Sequence, residues 1–409
     1  MKRLEVRFAA DPLAAARPVG TLVDQGGRIY FEYADAWLKT GLNLSPFRLP
    51  FEGGAFEHRD RAFGPLPGVF EDSLPDGWGL LLMDRHFRGL GQEPAALGPL
   101  ERLAWLGSRT LGALTYDPPA GPEEQAPGRF VLDDLARQSQ DLLAGKSSQV
   151  LPQLLRAGGS PGGARPKVLV GYDPAGDRIR SGETDVPEGF EHWLVKFPAR
   201  EDGPSAGVTE YAYSLMARAA GLDMPVTRLF ETSGGGRYFG VKRFDRLRNH
   251  RFHVHTFGNL LQVNFRIPSC DYSDLLKATA VLTRDHAEVL KAFRWMVFNV
   301  FAHNRDDHAK NFAFMLDEGS GEWSLTPAYD LTFSPGPGGE HAMTLAGEGR
   351  APDSGHILRL AGEREVSPTQ AGVILAEVRD AVARWPEFAR QAGVPAGRAR
   401  EVGQALGRT

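Results

Sequence analysis

The segment that decides the fold of this protein is HNRDDHAKN at residues 303–311. It directly follows a stripe of apolar residues at helical spacing, which predicts a buried helix ending near residue 301. The stripe consists of Val289, Phe293, Met296, Val297, Val300 and Phe301. Catalytic groups are commonly held in loops that a rigid element positions. We therefore interpret residues 303–311 as the centre of a functional site rather than as a solvated turn.

The residues after this loop predict a hairpin that folds back towards it. Residues 311–316 and 323–326 are strand-like, and the intervening residues 318–321 have the composition of a turn. Such a hairpin brings Asn311 near Asp330, with Asp306 at its mouth. Mg²⁺ prefers oxygen ligands and usually relies on one or two carboxylates together with substrate phosphates. The pattern therefore predicts a site for magnesium and phosphate, with Asn311 and Asp330 as metal ligands.

The spacing within the loop is that of a protein-kinase catalytic loop. An arginine, Asp306 and, after four residues, Asn311 reproduce the pattern R-D-x-x-x-x-N, in which the aspartate orients the acceptor hydroxyl and the asparagine binds metal. Asp330 takes the place of the later metal-binding aspartate, without the usual D-F-G. Upstream, a glycine-rich turn, Lys196 on a strand and Glu210 near a helix start occur in kinase order. These elements together predict an ATP-dependent phosphotransferase.

Composition sets the broad class of the protein. The 409 residues include 42% apolar and 24% charged residues, as in ordinary globular proteins. The net charge of −4 supplies no global basic field for nucleic acid, so direct DNA binding is not expected. A single cysteine, Cys270, and an N-terminus without a signal-peptide pattern predict a cytoplasmic protein, and no apolar run is long enough to span a membrane.

Two other functions remain open at this point. In a metal-dependent phosphoesterase or nuclease, Asp306, Asp307, His308 and Asp330 would be metal ligands and a metal-bound water the nucleophile. That function has no use for the glycine-rich turn or for Lys196. In a pseudokinase, the same residues would bind nucleotide within a larger complex without transferring phosphate. The complete set of kinase residues in the sequence, Asp306, Asn311, Asp330 and Lys196, argues against a pseudokinase.

The sequence resembles HipA-type serine/threonine kinase toxins of type II toxin–antitoxin systems over residues 63–334. The most specific elements are DSLPDGWG at residues 72–79 and the segment 304–311. Residues 160–167, 193–198 and 241–246 also match. The resemblance implies a mixed α/β (α+β), bilobed protein-kinase-like fold with a strand-rich N-lobe, a helical C-lobe and a small N-terminal α/β subdomain. A proline-rich linker near residues 117–128 then predicts domains at 1–117, 128–245 and 246–409.

The resemblance also implies roles for individual residues. Asp306 matches the catalytic aspartate, and Ser160 matches the serine whose autophosphorylation silences the kinase. The loop at 162–167 covers the ATP phosphates in that family, Lys196 contacts them, and residues 242–244 match the hinge that holds adenine. The residues expected to contact nucleotide are Gly162, Gly163, Ala164, Arg165, Pro166, Lys167, Lys196, Glu210, Lys242, Arg243, Phe244, His308, Lys310, Asn311, Tyr329 and Asp330.

The resemblance implies partners as well as chemistry. The expected cofactors are ATP and Mg²⁺, and the expected partner is a HipB-like helix-turn-helix antitoxin that would supply DNA contact. The expected substrate is a translation enzyme such as an aminoacyl-tRNA synthetase. The chain departs from the family at Pro161, Arg165 and Pro166, which predict a stiffer and more basic loop. Inactivation through Ser160 is therefore a hypothesis, to be abandoned if the fully phosphorylated protein keeps its activity.

Overall fold

The fold was examined in a computed structural model of the chain. It describes residues 2–121, 130–146, 150, 152–158, 162–199 and 203–407. Ser160 and Pro161 lie outside these residues, as does most of the proline-rich linker. The predicted domain boundaries stay predictions.

The first 117 residues form five strands and four helices. Their bounds are β1 (Lys2–Phe8), β2 (Arg17–Gln25), β3 (Arg28–Tyr33), α1 (Asp35–Leu38), β4 (Ala55–His58), α2 (Gly68–Glu71), α3 (Gly77–Gly89), α4 (Pro99–Leu106) and β5 (Leu114–Asp117). The strands make one antiparallel sheet in the order β4-β3-β2-β1-β5. Alternate residues of β1 are buried, as its period-two pattern predicts. The stretches 28–33 and 112–116, which are strand-like in the sequence, correspond to β3 and β5.

A second sheet follows. Its elements are α5 (Leu132–Leu143), α6 (Pro152–Gly158), β6 (Lys167–Asp173), β7 (Arg178–Ser181), β8 (Glu191–Lys196), α7 (Ala206–Ala219), β9 (Thr227–Glu231) and β10 (Arg237–Lys242). The strand order is β7-β6-β8-β10-β9, with antiparallel neighbours. Trp78 and Leu82 of α3 belong to the same apolar cluster as Val168 and Val195 of this sheet. The first segment of the chain is thus part of the second core.

The C-terminal part is mainly helical. Its elements are β11 (Arg246–Leu247), β12 (His250–Arg251), β13 (His253–Thr256), α8 (Phe257–Leu261), α9 (Tyr272–Thr283), α10 (His286–Phe301), β14 (Ala313–Leu316), β15 (Trp323–Leu325), α11 (Ser354–Glu363), α12 (Pro368–Ala383), α13 (Trp385–Ala392) and α14 (Ala396–Leu406). Helix α10 is buried along most of its length, as its apolar stripe predicts. The predicted hairpin is β14 and β15, in which Met315 faces Ser324.

The strand-like stretches 236–243 and 251–256 follow one another in the sequence and predict a strand pair, and this prediction is wrong. The strands at 236–243 and 251–256 belong to different sheets, because β10 pairs with β8 and β9, whereas β13 pairs with β14. Between them the buried Asp245 holds Arg243 and Arg246, and the chain turns towards the second lobe. Strand β9, which the sequence analysis did not identify, occupies the position beside β10.

The fold class is the predicted one, a mixed α/β architecture with a strand-rich lobe followed by a helical lobe. In the described ranges, no helix is both long and apolar enough to cross a membrane.

Candidate active site

The loop at 303–311 is held from both sides. Helix α10 ends at Phe301, and His303 then adopts a positive φ of 47° that turns the chain away from the helix axis. Asn304 forms a parallel bridge with Ser334, and Arg305 donates to the carbonyl oxygens of Gly339 and Arg350. The backbone on either side of Asp306 is therefore fixed by tertiary contacts.

A buried polar network lies beneath the loop and is centred on Asp307. Tyr272 OH donates to Asp307 Oδ2 at 2.6 Å, the Ala342 amide donates to Oδ1 at 2.8 Å, and His341 Nδ1 lies 2.8 Å from Oδ2. Asn299 Nδ2 donates to Tyr272 OH at 3.0 Å. Asp307 is fully buried, so its carboxylate anchors the loop to α9 and α10 and does not face the cleft.

Asp306, in contrast, is directed outwards, and 46% of its side chain is exposed. Partial burial raises the pKa of Asp306; the charge of His308 opposes this and that of Asp330 adds to it. Asn311 Nδ2 donates to the backbone carbonyl of Asp306 at 2.6 Å. Asn311 thereby sets the direction of Asp306 and keeps its own amide oxygen as an acceptor. A raised pKa suits a carboxylate that takes up a proton during a reaction.

Asp330 closes the site from the segment after β15. Its φ is +58°, a left-handed backbone that few residue types adopt, and its carboxylate accepts a hydrogen bond from Lys196 Nζ. Lys196 also donates to Glu210 Oε1 at 2.5 Å. Burial alone would raise the pKa of Asp330, but Lys196 and then Lys167 hold it well below its usual range. Asp330 is therefore ionised, as a metal ligand must be.

Asn311 and Asp330 lie on neighbouring segments, as the predicted hairpin requires. Tyr329 OH donates to the Lys310 carbonyl at 2.8 Å, which ties the residue before Asp330 to the residue before Asn311. Asn311 also donates to the backbone carbonyl of Asp306, so the segments that carry Asp306 and Asp330 are adjacent. The structure therefore brings together the amide and the two carboxylates that the sequence analysis grouped.

Two lysines lie side by side on the sheet that faces this cluster. Lys167 of β6 and Lys196 of β8 are direct cross-strand partners, and both are largely buried. Burial, together with the charge of Lys196, lowers the pKa of Lys167 to about 8, although the charge of Asp330 opposes the shift. Lys196 is paired with Glu210 and Asp330, whereas Lys167 donates to an uncharged backbone carbonyl, that of Gly162. The positive charge of this lysine pair suits the phosphate groups of a ligand.

The glycine-rich loop lies over these lysines. Lys167 Nζ donates to the Gly162 carbonyl at 2.5 Å, and Gly163 has a φ of +108°, which an L-residue rarely adopts. The positive charge of Arg165 favours the ionised forms of Asp306, Asp330 and Glu210. Arg165 of this loop also lines a cavity together with Lys196 and Glu210, so the loop lies beside the ion-pair cluster.

A cavity of about 220 Å³ opens beside the loop. Its walls include Arg165, Lys196, Glu210, Thr332 and Ser334. This polar lining suits the phosphate end of a nucleotide. A larger and mainly apolar cavity of about 360 Å³ lies between α10 and α12, and its lining includes none of the predicted site residues. We assign the site to the smaller cavity because three predicted site residues, Arg165, Lys196 and Glu210, line it.

The predicted hinge residues have different environments. Lys242 Nζ donates to Glu191 at 2.7 Å, and the buried Arg243 makes a bidentate ion pair with Asp245. Because its side chain is engaged in this ion pair, Arg243 could contact a nucleotide only through its backbone. The Phe244 ring lies 5.5 Å from that of Tyr329, so two aromatic rings meet where the sheet gives way to the helical lobe.

His308 and Lys310 have different neighbours: His308 faces Asp306, whereas Lys310 faces the first segment of the chain. His308 Nε2 lies 4.0 Å from Asp306 Oδ1, and its Nδ1 is buried without a hydrogen-bond partner among the described residues. Lys310 Nζ donates instead to Asp76 at 2.8 Å, and Asp76 also accepts a hydrogen bond from the Gly163 amide. The first 117 residues therefore contribute a side chain to this region.

Comparisons with known proteins identify the family. The HipA N-terminal domain matches residues 11–117, and the HipA-like C-terminal domain matches residues 159–385. The chain belongs to the HipA family. A relative named "Putative kinase Y4mE", from Sinorhizobium fredii, is 30% identical over 350 residues, which cover 75% of this chain and 73% of that protein. The predicted resemblance to HipA is confirmed.

Solved structures carry the likeness of fold across most of the chain. A chain of the Shewanella oneidensis MR-1 toxin–antitoxin complex of HipA, HipB and operator DNA superposes with a TM-score of 0.72 at 16% identity. The superposition covers 98% of this chain and 95% of that one. At this identity the match establishes the HipA fold.

Two residues of this HipA-family site were not assigned by the sequence analysis. Asp76 lies in the segment 72–79 that carries the resemblance. An aspartate at the start of a helix ordinarily caps that helix, so its position in the sequence does not indicate a contact with the glycine-rich loop. Asp307 was considered only as a metal ligand. Its neighbour Asp306 has the same side chain, so the sequence holds no signal that one is buried and the other exposed.

Proposed function

We propose that this HipA-family protein is an ATP- and Mg²⁺-dependent serine/threonine protein kinase and the toxin of a type II toxin–antitoxin system. The observation that carries the proposal is the ion-pair cluster of Lys196, Glu210 and Asp330 beside the outward-facing Asp306. A strand lysine paired with a helix glutamate, next to a catalytic-loop aspartate, is the arrangement that protein kinases use for phosphoryl transfer.

The chemistry follows from charge and position. Lys167 and Lys196 would neutralise the phosphate oxygens of ATP. Asn311 and Asp330 would hold Mg²⁺, which would supply further positive charge at the phosphates when bound. Asp306 would orient the acceptor hydroxyl and take its proton as the hydroxyl oxygen bonds to the γ-phosphorus and ADP departs. Positioning and electrostatics would supply most of the rate acceleration.

The nucleotide base would lie between the two lobes. We propose that Phe244 and Tyr329, whose rings meet there, contact adenine, and that Lys242 and Arg243 contribute backbone atoms. The ion pair of Arg243 with Asp245 and that of Lys242 with Glu191 support a positioning role for both side chains.

The expected partner is a HipB-like helix-turn-helix antitoxin, because the solved relative is in a complex of HipA with HipB and operator DNA. The net charge of −4 fits a chain whose contact with DNA comes through such a partner. We further propose a translation enzyme such as an aminoacyl-tRNA synthetase as substrate, and Ser160 as the site of self-phosphorylation.

The phosphoesterase alternative needs Asp307 as a metal ligand. Both oxygens of Asp307 are engaged by Tyr272, His341 and the Ala342 amide, and the residue is buried. This geometry favours the kinase. The pseudokinase alternative uses the same residues as the kinase and differs only in activity.

The test is intact mass spectrometry after incubation with Mg²⁺ and ATP, beside an Asp306→Asn variant, with peptide mapping of any added group. One phosphoryl group on Ser160 of the parent alone would support the proposed kinase. ATP binding without transfer, even to candidate translation enzymes, would favour the pseudokinase. Metal-dependent phosphoester hydrolysis without ATP binding would favour the phosphoesterase.

The pKa of Lys167 leads to a pH-dependence prediction. Lys167 loses its charge as the pH rises through about 8, so the affinity for an ATP analogue should fall by up to roughly tenfold per pH unit above that value. Lys196 stays charged over this range because Asp330 and Glu210 raise its pKa despite burial. Calorimetric titration at several pH values measures the effect. A Lys167→Met variant should bind more weakly but without this slope, and an identical slope in the variant would assign the effect to another group.

A further inference from the structure

The glycine-rich loop is held from outside by three residues of the first segment, Asp76, Gly77 and Trp78, here called the strap. The Trp78 amide donates to the Gly163 carbonyl at 3.0 Å, and Trp78 Nε1 donates to the Lys167 carbonyl at 3.1 Å. A side chain at Gly77 would meet the Gly163 carbonyl at 2.6 Å, so the two backbones touch. The strap therefore binds both ends of the described loop.

Asp76 makes the charged contact of the strap. Its carboxylate accepts hydrogen bonds from the Gly163 amide and from Lys310 Nζ, the latter at 2.8 Å. Only 14% of the Asp76 side chain and 15% of the Lys310 side chain are exposed, so water screens the pair weakly. Burial would raise the pKa of Asp76, but Lys310 and the Gly163 amide lower it overall, so the carboxylate is ionised. One charged group thus joins the glycine-rich loop to the catalytic loop.

The use of Asp76 is unusual for its position. It is the residue immediately before α3, where an aspartate normally bonds to the first free amides of the helix. Here it makes no such bond, and α3 begins without a side-chain cap. The position forgoes the stabilisation that a side-chain cap gives to the start of a helix. The carboxylate instead serves the two loops.

The residues just before the strap are anchored to the helical lobe. Asp72 accepts hydrogen bonds from the Thr256 amide and hydroxyl and from Asn259 Nδ2, at 2.7 to 2.9 Å, and lies 2.5 Å from His255 Nδ1. A Cβ at Gly68 would lie 1.8 Å from the Asn259 carbonyl, so no larger residue fits there. The strap and the residues just before it therefore connect the helical lobe, which carries the catalytic loop, to the glycine-rich loop of the other lobe.

We propose that Asp76 is a positioning residue that holds the glycine-rich loop closed over the phosphates of ATP by tying it to Lys310. The inference rests on the proposed kinase function. Loss of the Asp76 charge removes one charge-assisted hydrogen bond and one ion pair, so the loop opens more readily and the nucleotide dissociates faster. Contacts of this kind are worth enough to weaken binding about tenfold or more.

The test compares Asp76→Asn and Asp76→Glu with Asp84→Asn in the full chain. Asp84 lies in α3 and pairs with Arg102 at 2.8 Å, so it is a matched ion-paired aspartate away from the loop. The dissociation constant of a non-hydrolysable ATP analogue with Mg²⁺ should rise about tenfold in Asp76→Asn, recover in part in Asp76→Glu and stay unchanged in Asp84→Asn. Hydrogen exchange at residues 162–167, without nucleotide, should accelerate in Asp76→Asn alone.

The possible results separate the two ideas. If Asp76→Asn binds the analogue as tightly as the parent, or more tightly, with unchanged exchange in the loop, Asp76 does not position the loop, and the kinase proposal stands. Tighter binding with a mobile loop would identify Asp76 as a competitor of phosphate and would also overturn the inference. If the parent itself fails to bind the analogue, the proposed function fails and this inference falls with it.

Discussion

Phosphoryl transfer should slow by roughly 10²–10⁴-fold when Asp306 is replaced by Asn, while the affinity for ATP should stay unchanged. The amide has nearly the shape of the carboxylate but cannot take the proton of the acceptor hydroxyl. Nucleotide binding is retained because Lys196, Asn311 and Asp330 are untouched. The initial rate of transfer from labelled ATP, with calorimetric binding alongside, measures both quantities.

An exposed aspartate outside the predicted site provides the control. Asp223→Asn removes an equal charge at an exposed residue in the turn between α7 and β9, and should leave the rate unchanged. The parent enzyme should also lose activity on the acid side at a higher pH than an ordinary aspartate would predict, because the pKa of Asp306 is raised and only its ionised form accepts a proton. If Asp306→Asn kept the full rate of transfer, Asp306 would have no role in the reaction.

Replacing Lys196 by Met should abolish transfer and lower the free energy of unfolding by about 3 kcal/mol at neutral pH. Lys196 is the shared partner of Glu210 and Asp330, and 9% and 29% of these two side chains are exposed. Without the cation, two carboxylates face each other in a region with little water. Chemical denaturation followed by circular dichroism measures the loss.

The effect of this substitution depends on pH in a defined direction. In the parent, the lowered pKa of Asp330 means that its contribution to stability is present above the pKa of the unfolded chain and is lost as the pH falls through the folded value. In Lys196→Met, both carboxyls protonate more readily, so the difference between the two proteins should shrink as the pH falls towards about 4. A difference that is constant with pH would instead indicate lost packing.

Arg137→Met is the matched control for stability. Arg137 also pairs with a carboxylate, that of Asp134, at 2.8 Å, but 69% and 56% of the two side chains are exposed. Exposed pairs of this kind contribute about 1 kcal/mol or less. A comparable loss in both variants would mean that burial of the Lys196 cluster has no special weight.

The sequence predicted the features that depend on neighbouring residues. Helix α10 followed from its apolar stripe and the β14–β15 hairpin from its turn composition, because both patterns are local. Asp306 and Asn311 were located together because they are only five positions apart on one loop. The resemblance to the HipA family also rested on short contiguous segments.

Features that join distant parts of the chain were decided only by the tertiary structure. Asp76 and Lys310 are separated by 234 positions, and no local pattern pairs them. The predicted pairing of β10 with the strand at 253–256 failed for the same reason, since strand partners are chosen by the packing of whole sheets. The sequence by itself determined the chemistry of the catalytic loop, because that chemistry depends on residue type and short spacing. The tertiary structure alone decided that Asp307 is buried, that Lys167 and Lys196 are neighbours, and that Asp76 reaches the loop, because burial and long-range contact arise only when the lobes pack together.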